Sequence, residues 1–136
     1  SLVGSTNGRM TSLGQMTHAV ILGVDASRYA KSLGEDGWST ILAKYKTGRG
    51  PRPDHPGGDT KNYDVIGFWV AVGASGEEGC PDLNEGFPLE RFLDVPKYRK
   101  AHDRARKAWD KFKPWAETKG FDFGEPRLWL VMTEVG

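Results

Sequence analysis

Few residues in this chain combine a reactive side chain with a telling position. Asp25 closes the apolar run His18 to Val24, and Ser27 follows two residues on. The carboxyl end of a strand is where α/β enzymes place ligand contacts, and a carboxylate there can equally cap the helix that follows. Arg49, Arg52 and His55 fall within GRGPRPDHPGG, residues 48–58. A guanidinium in such a loop can fork onto a phosphate or carboxylate, so Arg49, Arg52, His55 and Asp25 form the expected ligand- or anion-binding set. The spacing matches neither a phosphate-cradling loop ending in GK[ST] nor a dinucleotide GxGxxG fingerprint. His18, His55 and His102 have no second His or Cys at ligand spacing, so no metal site is expected. Cys80 precedes Pro81 close to Glu77 and Glu78, which raise a thiol's pKa and blunt it as a nucleophile. GxSxG, HExxH, DxDxDG and Walker patterns are all absent, so no catalytic residue is assigned and no cofactor is expected.

Lys97, Lys100, Arg104, Lys107 and Lys111 recur at spacings of 3, 4, 3 and 4, which places all five on one side of a helix as a basic ridge. Such a ridge suits phosphates or an acidic partner, or is simply solvated. The neighbouring stripe, Arg99, Asp103, Arg106, Asp110 and Lys113, alternates in sign and can pair with itself.

These groups need elements to hold them. The chain has 136 residues, a length that suits a single core, and 19 basic against 18 acidic side chains leave a net charge of +1. No global field recruits nucleic acid or an anionic membrane. The longest apolar runs, 19–24 and 65–74, are far shorter than a bilayer span, and one cysteine excludes an internal disulfide; a soluble, cytoplasmic protein is expected. Residues 1–16 show no sustained period and read as a loose leader or an expression-derived segment, with one domain over 17–136. Strands are expected at 18–24, 63–74 and 127–135, each apolar on both parities. In the second, Ile66, Phe68, Val70 and Val72 oppose Val65, Trp69 and Ala71. A short helix follows Asp25 and ends at Gly34, and Trp38, Ile41, Leu42 and Tyr45 at i, i+3, i+4 and i+7 predict a helix over 38–46. Residues 47–60, with four Gly and three Pro, are read as an exposed or disordered loop. The segment 75–94 is acidic, with a helical turn at 89–93.

A long helix is expected from Pro96 to Lys119, with its core stripe on Tyr98, Ala101, Ala105, Ala108, Trp109, Phe112, Trp115 and Ala116, and a kink or restart near Pro114. The fold class is α+β in the order β-α-α-β-α-β: a small mixed sheet of three to five strands, with the helices at 38–46 and 96–119 packed on one face.

VILGVDASRYAKSL, residues 20–33, resembles the strand, Asp, Ser and helix that open universal stress proteins, in which the Asp contacts adenine-nucleotide ligands. The resemblance implies such a contact at Asp25. That family's late glycine-rich phosphate motif is absent, and three strands are read where a doubly wound sheet needs about five. VILGVDAS also resembles the first strand of RNase H-like nucleases, whose Asp binds a metal, which would make Glu134 a second acid. That fold continues into a hairpin; this chain continues into a helix.

The leading functional expectation is a non-enzymatic binding or interaction module, homodimeric, with an apolar aromatic-lined pocket for a small apolar or anionic ligand and no membrane partner. Two helices roof one face of the sheet, so the other face needs cover from a second copy, with Trp69 and Trp129 at the contact, or from Leu83, Phe87, Leu89, Phe92 and Leu93. The alternatives are a nucleic-acid or acidic-partner binder through the ridge of helix 96–119, and an enzyme or nucleotide binder using Asp25.

Overall fold

A computed structural model describes residues 15–34, 37–45, 51–56, 64–73, 80–83 and 88–135. Three strands form one sheet: β1 (Gln15–Asp25) at the centre, β2 (Val65–Val72) on one side and β3 (Arg127–Val135) on the other, both antiparallel to β1. The helices are α1 (Ser27–Leu33), α2 (Gly37–Leu42) and α3 (Pro96–Thr118), with a 3₁₀ helix at Leu89–Asp94 before α3. The α+β class and the element order are those expected from the sequence. The only parallel pairing among the described residues is one isolated bridge, Val72 to Asp82, so the strand ladders are antiparallel and not mixed.

Apolar periodicity explains the helix layer. Tyr98, Ala101, Ala105, Trp109, Phe112 and Ala116 on α3 are buried, and they meet Val20, Leu22, Val24, Ile66, Phe68, Val70 and Ala71 on one face of the sheet. Trp38 and Leu42 from α2, with Phe121 and Phe123 after α3, close the same core. Their rings pack mainly edge-on or tilted, as between Tyr29 and Phe121 (5.0 Å between centroids), an arrangement favoured by ring quadrupoles. α2 is shorter than its apolar spacing suggests. After Leu42 the chain tightens into i→i−3 bonds from the Lys44 and Tyr45 amides, yet Tyr45 still reaches the core. α3 runs through Pro114 without a restart; the carbonyl left unbonded belongs to exposed Asp110, where water can serve it.

Other boundaries and faces differ from expectation. β1 begins at Gln15, because Gln15 and Met16 pair with Val135 and Glu134; the rest of the expected leader, 1–14, lies outside the described residues. Val20 pairs with Ala71 but Ile21 pairs with Trp69, so Val70 is an extra residue in β2. That bulge inverts the parity beyond it. Ala71 therefore joins the helix-side core, and Val72 turns to the opposite face.

The opposite face holds a second cluster of Ala19, Ile21, Val65, Val72 and Val131, with Trp69, Cys80 and Trp129 packed on it. Ala19 and Ile21 are fully buried within one chain, so this face does not require a second copy as cover. Cys80, from the 75–94 segment, packs on this cluster, but the described members of the expected apolar cover do not. Leu83, Phe92 and Leu93 join the helix-side core and Leu89 is exposed, while Phe87 lies outside the described residues.

Candidate functional site

Asp25 ends β1, and its Oδ1 accepts hydrogen bonds from the Ser27 amide (3.0 Å), the Ser27 hydroxyl and the Asp64 amide (3.2 Å). Slight burial pushes its pKa upward, but these donors together outweigh it and hold the carboxyl below the usual Asp value. The helix N-cap position itself is Ala26, so Asp25 caps α1 from one residue earlier. Asp64 in turn accepts the Trp38 indole N–H at 2.9 Å, and Ser39, next on α2, lies 3.5 Å from His55 Nε2. Asp25 and His55, remote in sequence, thus belong to one chain of contacts through Asp64 and α2.

That chain has the character of a structural tie. Among the described residues no carboxylate pairs with the His55 ring, and no group of three or more His, Cys, Asp or Glu residues is placed to hold a metal. Glu134 pairs with Met16 at the far end of β1 from Asp25, about 30 Å away along the strand, so the two do not form the acid pair of an RNase H-like site. Antiparallel β1 and β2 likewise exclude the doubly wound parallel sheet implied by the likeness to universal stress proteins.

Of the glycine- and proline-rich stretch 47–60, residues 51–56 are described and are tied to the sheet; the rest lies outside the described residues. Asp54 exchanges both backbone hydrogen bonds with Gly67, at 2.8 and 2.9 Å, and Pro53 and Pro56 are buried. The Asp54 carboxylate accepts the Trp69 indole N–H at 3.0 Å and the His55 amide at 2.8 Å. Arg52 is exposed; Arg49 lies outside the described residues.

Trp69 and Trp129 flank Ile21 at one register across all three strands. The Trp129 indole N–H donates to the Gly23 carbonyl at 2.9 Å, so both indoles are hydrogen-bonded within the chain and half-buried. Gly23 and Gly67 form the neighbouring pair, where the strands come so close that a Cβ on Gly67 would run into the Leu22 carbonyl and one on Gly23 into that of Ile66.

The two edges of the sheet are unlike. The outer edge of β2 is bonded by Asp54 at Gly67 and by Pro81 and Leu83 at Val72. Among the described residues β3 is the last strand on its side. Because Gly67 spends its amide and carbonyl on Asp54, strand alternation turns Gly23, Ile21 and Ala19 toward β3 and their partners Arg127, Trp129 and Val131 back toward β1. The backbone groups of Leu128, Leu130 and Met132 therefore face out from the edge. Their side chains lie on the helix side of the sheet, as their partners Leu22, Val20 and His18 show, but α3 lies across β2 and β1. Leu128 and Leu130 stay 37% and 53% exposed, and Met16 on the same face 44%. The expected strand 127–135 contains both leucines but does not by itself mark them as exposed. Their signal was the second apolar parity of 127–135.

All five ridge residues of α3 are exposed. Compared with known proteins, the chain matches no family model, no curated protein and no solved structure. Among the described residues no helix is long and apolar enough to cross a membrane.

Proposed function

We propose that the protein is a non-enzymatic interaction module that acts as a homodimer, joined edge to edge through β3. The observation that carries this reading is the coincidence, on a strand with no outer partner among the described residues, of outward-facing backbone groups with exposed Leu128 and Leu130. An unpaired edge is a template for another strand, and soluble proteins usually blunt it with charge, proline or a covering loop. The middle of β3, Leu128 to Thr133, carries none of the first two. Antiparallel pairing about a two-fold axis lets one strand serve as its own partner, extends the sheet to six strands, and sets the leucines of both copies side by side. The contact differs from one through Trp69 and Trp129, which already cover Ile21 within the chain.

Light scattering at micromolar concentration tests the reading. A mass near twice 15.0 kDa is expected, and the chain mass alone overturns it. Leu130→Pro removes an amide that faces away from β1, so it should give a folded monomer; a Leu130→Pro protein that stays dimeric moves the contact elsewhere.

A further inference from the structure

The edge of β3 leaves the basic flank of α3 without a role. Lys97, Lys100, Arg104, Lys107 and Lys111 occupy about a quarter of the helix circumference, and the row continues at i+4 intervals into Trp115 and then Lys119, just past the helix end. From Lys97 to Lys111 the row spans roughly 20 Å. Among the described residues, no ion pair engages Lys100, Lys107 or Lys111. The nearest acid stripe is partly spent on itself, since Asp110 pairs with Arg106 at 3.4 Å. Arg106 also reaches Glu125, at 3.3 Å, in the segment leading to β3. The ridge lies on the other flank, toward Tyr45 at the end of α2.

Trp115 is unlike the other core-stripe aromatics of α3. Tyr98, Trp109 and Phe112 are fully buried, whereas Trp115 is only half-buried, backed by Phe112 at 5.7 Å and by Tyr45 at 5.2 Å. Lys119 holds its flexible ammonium over the indole ring, 5.8 Å from the centroid, where a stacking base would displace it. A firmly backed, partly open ring in line with a row of cations is the arrangement that holds an unpaired base while lysines follow the phosphates.

We propose that this flank of α3 binds single-stranded nucleic acid, with Lys97, Lys100, Arg104, Lys107 and Lys111 tracking the phosphodiester backbone and Trp115 stacking a base. An acidic protein segment would satisfy the cations but would leave the aromatic end of the row unexplained. The inference does not depend on the β3 contact, which lies on the opposite flank.

Fluorescence anisotropy with a labelled oligothymidylate of about 20 nucleotides, at about 50 mM salt, tests it against an abasic strand of equal length and an acidic peptide. The oligothymidylate should bind, roughly tenfold or more tighter than the abasic strand, and weaken steeply as salt rises. Lys100→Glu with Lys107→Glu, both at exposed positions, should lower affinity by at least about tenfold. Trp115→Ala should bring the oligothymidylate down to the abasic level; if that variant does not fold, the comparison of the two strands on the unaltered protein still decides the role of the base. Absence of binding at low salt, equal affinity for the two strands, tighter binding of the acidic peptide, or indifference to the double reversal each overturns the proposal.

Discussion

β2 and β3 flank the same central strand, and both are apolar on both parities, yet they end in opposite environments. Seven of the eight β2 residues are buried, whereas between Arg127 and Thr133 on β3 only Val131 is. β2 has α3 over one face, the Trp69 and Cys80 cluster on the other, and loop residues bonded along its outer edge. β3 shares the second cluster through Trp129 and Val131 but has neither the helix roof nor an edge partner among the described residues. Hydrophobic sequence therefore states a demand for cover, and the connections decide where it is met inside the chain and where it is left for a partner.

The contrast is most sharply tested by substitutions at equivalent depth. Phe68→Ala on β2 empties space against Phe112 and should cost about 3–5 kcal/mol in denaturant unfolding. A cost below about 1 kcal/mol would mean that β2 is not the buried strand described. Gly67→Ala forces a methyl group toward the Leu22 carbonyl and should cost about 1–3 kcal/mol, read as a lowered midpoint with unchanged cooperativity. Asp54→Ala frees the Trp69 indole and the His55 amide at the bonded edge, and a loss of about 1 kcal/mol is expected by thermal unfolding. Leu130→Lys on the open edge should change the unfolding free energy of the monomer by no more than about 0.5 kcal/mol while abolishing the dimer in sedimentation.

The smallest effect belongs to Asp25. Its folded pKa is lowered, so the stability it contributes is present above the ordinary Asp value of about 3.9 and is lost as pH falls through the folded value. Asp25→Asn keeps an acceptor for Ser27 and Asp64 and should be nearly neutral at pH 7, with that acid-side dependence removed. If the dependence survives in Asp25→Asn, it comes from another group.

The sequence by itself determined the local features of this protein. The order of elements, the ends of α3, the extent of β3, the buried stripe and the basic ridge all arise from periodicity and boundary residues within a few positions of one another, and such patterns act over short distances along the chain. Tertiary structure alone decided the rest. The Val70 bulge, which exchanges the faces of Ala71 and Val72, depends on the register against β1 and not on any residue within β2. The use of Asp25 as a tie to Asp64 links residues 39 positions apart, and the Gly23–Gly67 approach and the bond from Asp54 to the edge of β2 join segments just as remote from local pattern. Leu128 and Leu130 are exposed because β3 is the outer strand and α3 lies elsewhere. Side-chain type sets what each residue requires, while strand order and the path of the helix set what reaches it, and those follow from pairings that no short stretch of sequence contains.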